Sequence, residues 1–390
     1  MIRRIAVNTG GGDAPGLNAV IRAVAISAMS RGWEVLGIRY GYRGLLDEPD
    51  GVVSLDRNSV RGIHHLGGTI LGSTNRGDPF RYPVMKDGEL VPTDVSARVI
   101  QRMNQLAIDV LVAIGGDGSI QISSKLLERG LPRLIAVPKT IDNDLPGTDQ
   151  TFGFDTAVAT ASEAIDKLHT TAQAHERVMV VEVMGRHAGW IALHSGIAGG
   201  ADAILIPEIP YDIERVCEKI RWREAMKRRF AIVVVAEGAM PVGGEAVFKA
   251  GAGKFKEHGQ LGGIAERVAR EISEGTGKET RSIVLGHLQR GGSPVTTDRV
   301  LALRLGCAAT RFIAESNASG LVAVRGSRIE LVPLADGTGR TRTVPPDSDV
   351  LITARQLGVC FGDEEPESFD SMVPPPPPSL PPYRSLKPPS

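Results

Sequence analysis

The chain has 390 residues, 42% of them hydrophobic and 23% charged, and its 45 Lys+Arg balance 45 Asp+Glu to a formal charge of zero. That length supports two domains with cores of their own, and the absence of a basic excess argues against general nucleic-acid or membrane-surface binding. Cys217, Cys307 and Cys360 are odd in number and widely spaced, without CxxC or His-rich spacing, which speaks against a disulfide framework or a zinc site and suits a reducing cytoplasm.

From the amino end, "MIRRIAVNTGGG" reaches its glycines too soon for a signal-peptide core, and no run approaches the roughly 18 apolar residues of a membrane span. Short β-branched runs then alternate with helical patterns: "RIAVNT", "EVLGIR", "VLVAIG", "RLIAVP", "RVMVVEVMG", "DAILIPE", "AIVVVAEG" and "RSIVLGH". Near-continuous apolar runs are what strands buried on both faces look like, so the fold class is α/β with mainly parallel, doubly wound sheets. Residues 19–29, 96–105 and 157–172 read as helices between them. Residues 241–263, "PVGGEAVFKAGAGKFKEHGQLGG", read as an extended loop. Residues 363–390 differ in kind, with "DEEPE" leading into nine prolines among the last seventeen residues. They read as a disordered, partly polyproline II tail or a ligand for a proline-recognition domain.

Ligands of such folds meet loops that leave the carboxyl ends of strands. Three loops qualify. "NTGGGDAPGLNAVIRA" opens the first helix with exposed amides where an anion can approach closely, although it does not read GxGxxG and also fits a structural turn. "GTGKET" is not a Walker A loop, because it lacks the earlier glycine and the following Ser or Thr. "VLVAIGGDGSI" places Gly115, Gly116, Asp117 and Gly118 after a strand, where glycines let phosphates lie on the backbone and an aspartate can hold Mg²⁺. "AVPKTIDNDLPGTDQ" clusters Asp142, Asp144 and Asp149 behind Lys139. A carboxylate there can take a hydroxyl proton beside a metal-phosphate, or it can merely cap and turn the next segment.

Taken together and in order, "GGDAPGLNAVIR", "GGT", "IGGDGS", "TIDND", "GTDQTFGFDTA", "VVEVMGRHAGW", "ETRSIVLGHLQRGGSP" and "DR" closely resemble the 6-phosphofructokinases of bacterial type over roughly residues 1–325. The resemblance implies two Rossmann-like domains: residues 1–153 as the first part of a large donor-binding domain, 154–288 as a smaller sugar-phosphate domain, and 289–362 as the return to the large one with closing elements. It implies phosphoryl transfer from ATP with Mg²⁺ to the 1-hydroxyl of fructose 6-phosphate. By motif match, Asp142 is the proton acceptor, with Asp144 and Arg186 the other catalytic positions and Asp117 the metal ligand. Gly11, Gly12, Asn75, Arg76, Gly116, Gly118, Ser119 and Lys139 fall at donor positions. Thr140, Ile141, Met184, Gly185, Arg186 and Glu237 fall at sugar positions, and Arg177, Arg281, His287 and Arg290 at phosphate positions. In the family some of these cations come from a neighbouring subunit, so a homotetramer or homodimer with shared active sites is implied.

The residue types agree with that chemistry, since guanidinium forks grip a dianionic phosphate well. Arg177, Arg281 and Arg290 sit near strand ends where such forks could converge. His64, His65 and His187 read as structural. The donor signature is mixed. Gly118 is the residue of ATP users, whereas lysine at the position of Lys139 is typical of pyrophosphate users. A carboxylate at position 118 would exclude ATP by bulk and like charge, while Lys139 only adds attraction, so ATP is the favoured donor and pyrophosphate the alternative. Asn75 stands where an arginine often contacts the donor, and Ile122 where a small residue is common. Arg22 and Arg228 match effector-site cations of the family, but Ile26 and His169 do not, and regulation is not inferred.

Overall fold

The computed structural model describes residues 2–46, 50–75, 77–245, 247 and 261–363. In chain order the strands are β1 (Arg4–Thr9), β2 (Glu34–Ile38), β3 (Val52–Ser54), β4 (Tyr82–Lys86), β5 (Glu89–Thr93), β6 (Val110–Gly115) and β7 (Leu134–Pro138). They continue as β8 (Val178–Val183), β9 (Ala203–Leu205), β10 (Ala231–Ala236), β11 (Thr280–Val284), β12 (Gly320–Arg325) and β13 (Arg328–Val332). The helices are α1 (Leu17–Met29), α2 (Ser96–Gln105), α3 (Asp117–Glu128), α4 (Phe154–His175), α5 (Trp190–Ala198), α6 (Ile213–Ala225), α7 (Ile264–Thr276), α8 (Thr296–Glu315) and α9 (Asp349–Gln356).

A larger sheet has the order β13-β12-β7-β6-β1-β2-β3, and a smaller one the order β11-β8-β10-β9. The smaller sheet is parallel throughout, whereas the larger is parallel at its centre with β3 and β13 antiparallel at its edges. The eight apolar runs read from the sequence are β1, β2 and β6 to β11. Helices cover both faces, which explains the lack of alternation. In the larger unit, α1 and α8 pack with one core and α2 and α3 with the other. In the smaller unit, α4, α5 and α9 share one core and α6 and α7 the opposite one. Fully buried side chains such as Ile5, Leu111, Val180 and Val233 each stabilise by about 1.5–3 kcal/mol relative to exposure.

The parallel register positions the site. Thr9 pairs with Ile114 and Gly115 with Pro138, so β1, β6 and β7 end side by side and discharge their three loops at one edge. In the smaller sheet Val183 pairs with Ala236, which brings Met184 and Glu237 out together. Residues 320–332 lie in the larger sheet. Residues 349–362, which the sequence assigns to the same return segment, instead pack on the smaller unit. There Leu351, Ala354 and Phe361 join its core, and Cys360 bridges to Ala203. Arg76, most of the Gly-rich stretch after Met240 and the proline-rich segment from 364 lie outside the described residues.

Candidate active site

The three loops meet in a cleft of about 660 Å³ between the two units. On the larger unit, a Cβ at Gly115 would stand 2.4 Å from the Ser119 Cβ, so glycine is what lets the first turn of α3 close onto the ends of β1 and β6. Asp117 is the first residue of α3, and both its carboxylate oxygens accept from Gln121 Nε2 at 2.9 Å. At Gly118 a Cβ would meet nothing within 4 Å, so the space beside it belongs to the cleft.

Lys139 is buried directly after β7, and its ammonium donates to the carbonyl of Gly12. Burial and the nearby Arg290 push its pKa down to about 8, with Asp142 and Asp13 acting in the opposite direction. Arg290 in turn donates to the carbonyl of Asp13 at 3.0 Å. Two cations thus hold the glycine turn from below while lining the cleft.

The "TIDND" loop separates its carboxylates by role. Asp149 is exposed, accepts from the Gly326 amide at 2.7 Å and serves the chain tracing. Asp142 is buried, and its Oδ1 has no hydrogen-bond partner. Desolvation, reinforced by Asp144, pushes its pKa up to about 6 against the pull of Arg290, Arg186 and Lys139. Asp144 is raised as well, again by burial, with Asp117 adding like-charge repulsion and Thr140 and Arg186 opposing it. Buried polar atoms are normally paired, so the bare Oδ1 of Asp142 leaves an open acceptor at the cleft.

From the smaller unit, Arg186 adopts a left-handed backbone at φ 52° and lines the cleft, and its amide donates to Glu237 Oε1 at 3.3 Å. Burial, and then Asp142, raise the Glu237 pKa to about 7. Met184 packs in the core, and Ile141 is fully buried. Neither lines the cleft.

Among the expected residues, Gly11, Gly12, Asn75, Gly116 to Ser119, Lys139, Thr140, Asp142, Asp144, Arg186 and Arg290 come together. The expected convergence of Arg177 and Arg281 with Arg290 is not found within one chain. Arg177 precedes β8 and Arg281 lies near the start of β11, which is the amino end of the sheet, opposite to the cleft. There Glu279 bridges them, at 2.9 Å from Arg177 Nε and 2.7 Å from Arg281 Nη2. His287 is exposed on a short turn and does not line the cleft. The cleft also includes residues that the sequence did not signal: Tyr42, Asp78, Gln121, Arg340 and Thr341, and also His187, read there as structural. The last pair before Arg342 comes from a loop some two hundred residues beyond "TIDND". No local pattern could have announced it.

For a divalent cation the donor set is lean. Among the described residues no cluster of three or more His, Cys, Asp or Glu stands ready to hold a metal. Asp117, with Asp144 near enough to feel its charge, fits Mg²⁺, which is typically held by one or two carboxylates together with substrate phosphates and water.

Comparison with known proteins shows the family of the chain. The family model described as Phosphofructokinase matches residues 4–313. The chain is 51% identical over 362 residues to an ATP-dependent 6-phosphofructokinase of Chloroflexus aggregans, covering 93% of this chain and 98% of that one. It is 48% identical over 345 residues to a pyrophosphate–fructose 6-phosphate 1-phosphotransferase of Amycolatopsis methanolica, covering 88% and 97%. Among solved structures, Pichia pastoris phosphofructokinase in the T-state superposes with a TM-score of 0.73 at 33% identity. That match covers 86% of this chain but only 35% of the longer yeast chain. A pyrophosphate-dependent phosphofructokinase from Nitrosospira multiformis shares the fold, with a TM-score of 0.73 at 24% identity over 99% of this chain and 96% of that one. Glycine turns, an unpartnered buried aspartate and a family match over most of the chain lead to one assignment: the chain belongs to the phosphofructokinase family.

Proposed function

We propose that this enzyme phosphorylates the 1-hydroxyl of fructose 6-phosphate with ATP and Mg²⁺, giving fructose 1,6-bisphosphate and ADP. The observation that carries the reading is Asp142, buried at the cleft with Oδ1 unpartnered and a pKa near the working pH of a general base. As the sugar oxygen bonds to the γ-phosphorus, its proton passes to Asp142, and the bond to the β–γ bridging oxygen breaks with its electron pair leaving on ADP. Asp117 would hold Mg²⁺ together with the phosphates, and the bound ion would supply charge neutralisation. Lys139, Arg290 and the amides of Gly11, Gly12 and Gly116 to Ser119 face the donor's phosphates, Asn75 borders them, and Arg186 steadies the reacting end. Thr140, Gly185 and Glu237 border the sugar.

In this reading the larger unit binds the donor and the smaller one the sugar phosphate. Because Arg177, Arg281 and His287 lie away from the cleft of their own chain, their phosphate role requires a second subunit, so the enzyme acts as a homo-oligomer. No helix among the described residues is long and apolar enough to cross a membrane, and a cytoplasmic location accords with the substrates.

Pyrophosphate is the second reading, supported by the buried ammonium of Lys139 and by the 48%-identical relative that uses it. The ratio of kcat/KM for the two donors on the unmodified enzyme decides between them. ATP should be preferred, Lys139→Gly should keep ATP use, and Gly118→Asp should abolish it. The new carboxylate would project into the open space beside the phosphates, where like-charge repulsion is on the order of several kcal/mol. A ratio favouring pyrophosphate would show that Lys139 sets the choice.

A further inference from the structure

The segment from Thr338 to Val344 lines the cleft with Arg340 and Thr341 and is fastened at four places. The Gly339 amide donates to Asp117 Oδ1 at 3.3 Å, at the start of α3. Arg342 is tied to the "TIDND" loop twice: its amide donates to the carbonyl of Asp144 at 2.7 Å and its Nη1 to that of Asn143 at 2.8 Å. Its guanidinium also lies 4.6 Å from the ring centroid of Trp190, whose Nε1 donates to the Arg342 carbonyl at 3.0 Å. The Val344 amide reaches Glu208 Oε1 at 2.8 Å, on the smaller unit.

Between these anchors the chain presents Arg340. Its side chain is exposed, lines the cleft beside Asp117 and Gly118, and has no hydrogen-bond or ion-pair partner among the described residues. Lys139 and Arg290, the cations beneath the glycine turn, already donate to main-chain carbonyls. Arg340 therefore brings uncommitted guanidinium donors to the lining of the same cleft, on a backbone pinned one residue away to the carboxylate expected to face the metal. A planar fork in this place suits the terminal phosphates of a nucleoside triphosphate, which it can grip with two parallel hydrogen bonds.

We propose that Arg340 is a donor-binding residue that closes over the phosphates of the nucleoside triphosphate, and that Arg342 is the positioning residue that holds it there. The inference rests on the reading of the cleft as a donor site. The test uses the full-length enzyme and two readouts: KM for ATP against KM for fructose 6-phosphate, and direct titration with a non-hydrolysable ATP analogue and Mg²⁺.

Arg340→Ala should weaken analogue binding and raise KM for ATP by about 10- to 100-fold, the range for losing hydrogen bonds to a charged group. KM for fructose 6-phosphate and the melting temperature should stay unchanged, because the side chain is exposed and makes no hydrogen bond or ion pair among the described residues. Arg340→Lys should recover part of the loss. Arg342→Ala should reproduce the donor defect and lower kcat as well, since the Asn143 carbonyl loses its guanidinium tether and the segment loses its contact with the Trp190 ring. Normal analogue affinity in a folded Arg340→Ala enzyme overturns this inference and leaves the donor reading standing. If the unmodified enzyme binds no analogue, both fall.

Discussion

Two aspartates in this molecule share burial and a pKa pushed up to about 6, yet their surroundings differ in kind. Asp298 sits on α8 beneath the start of α4. One of its oxygens accepts from the Gly153 amide at 2.8 Å, the other from the Thr156 amide at 2.7 Å and the Thr156 hydroxyl at 2.6 Å. Asp142 sits in the cleft loop with Oδ1 bare. A raised carboxyl pKa alone therefore does not mark a catalytic group. Where the hydrogen bonds are complete the carboxylate serves the fold, tying α8 of the larger unit to the N-terminus of α4. Where they are incomplete it is held ready for a ligand's proton, at a cost to stability.

The largest effect that separates the two is catalytic. Asp142→Asn should lower turnover by about 10² to 10⁴ while fructose 6-phosphate still binds, as expected for loss of a general base. The same change should stabilise the protein at pH 8 by about 2 kcal/mol, because the wild type must bury a charge there that asparagine does not carry. The sign follows from the raised pKa. An aspartate that titrates at about 6 when folded, against 3.8 ordinarily, contributes stability that is full below about 4 and lost as pH rises through about 6. Near-normal turnover would remove Asp142 from the proton-accepting role.

Asp298→Ala should do the reverse, leaving turnover per folded molecule close to normal and lowering stability by about 1–3 kcal/mol through the orphaned donors at the start of α4. By the same linkage, the loss should be greatest near pH 4 and should shrink as pH rises through about 6. Denaturant unfolding at pH 4 and pH 8 measures both variants. A turnover defect in Asp298→Ala as deep as that of Asp142→Asn would erase the contrast.

The smallest effect is in the pH profile of the unmodified enzyme. Turnover should climb as pH passes about 6, where Asp142 becomes able to accept a proton, and apparent donor affinity should decline above about 8 as Lys139 loses its charge. The acid limb should vanish in Asp142→Asn, measured on whatever residual activity persists. A flat kcat between pH 5 and 7 in the wild type would detach Asp142 from the rate.

The contrast was only half legible in the linear chain. Asp142 is announced by its place after an apolar strand and among "TIDND", and Asp117 by the glycines around it. Both signals are local, because a strand's carboxyl end and the turn that follows it are contiguous in sequence. Asp298 belongs to the "DR" match, but nothing next to it in sequence announces a structural role. Its role depends on α8 meeting α4, elements about 140 residues apart, which only packing decides.

The same reason divides the rest of the molecule. Composition and the eight apolar runs determined an α/β fold with buried parallel sheets, since burial on both faces writes itself into consecutive residues. Strands β12 and β13 and the hairpin of β4 and β5 did not stand out. The glycine turns determined which loops line the cleft. Strand direction, by contrast, sends Arg177 and Arg281 to the end of the smaller sheet away from the cleft, although their sequence neighbourhood suggested convergence with Arg290. Chain crossing decides that residues 349–362 cover the smaller unit and that Arg340 and Arg342 arrive beside the "TIDND" loop. Hydrogen bonds from one loop to the carbonyls of another depend on backbone positions that no residue type encodes, so that part of the site existed only once the tertiary structure had formed.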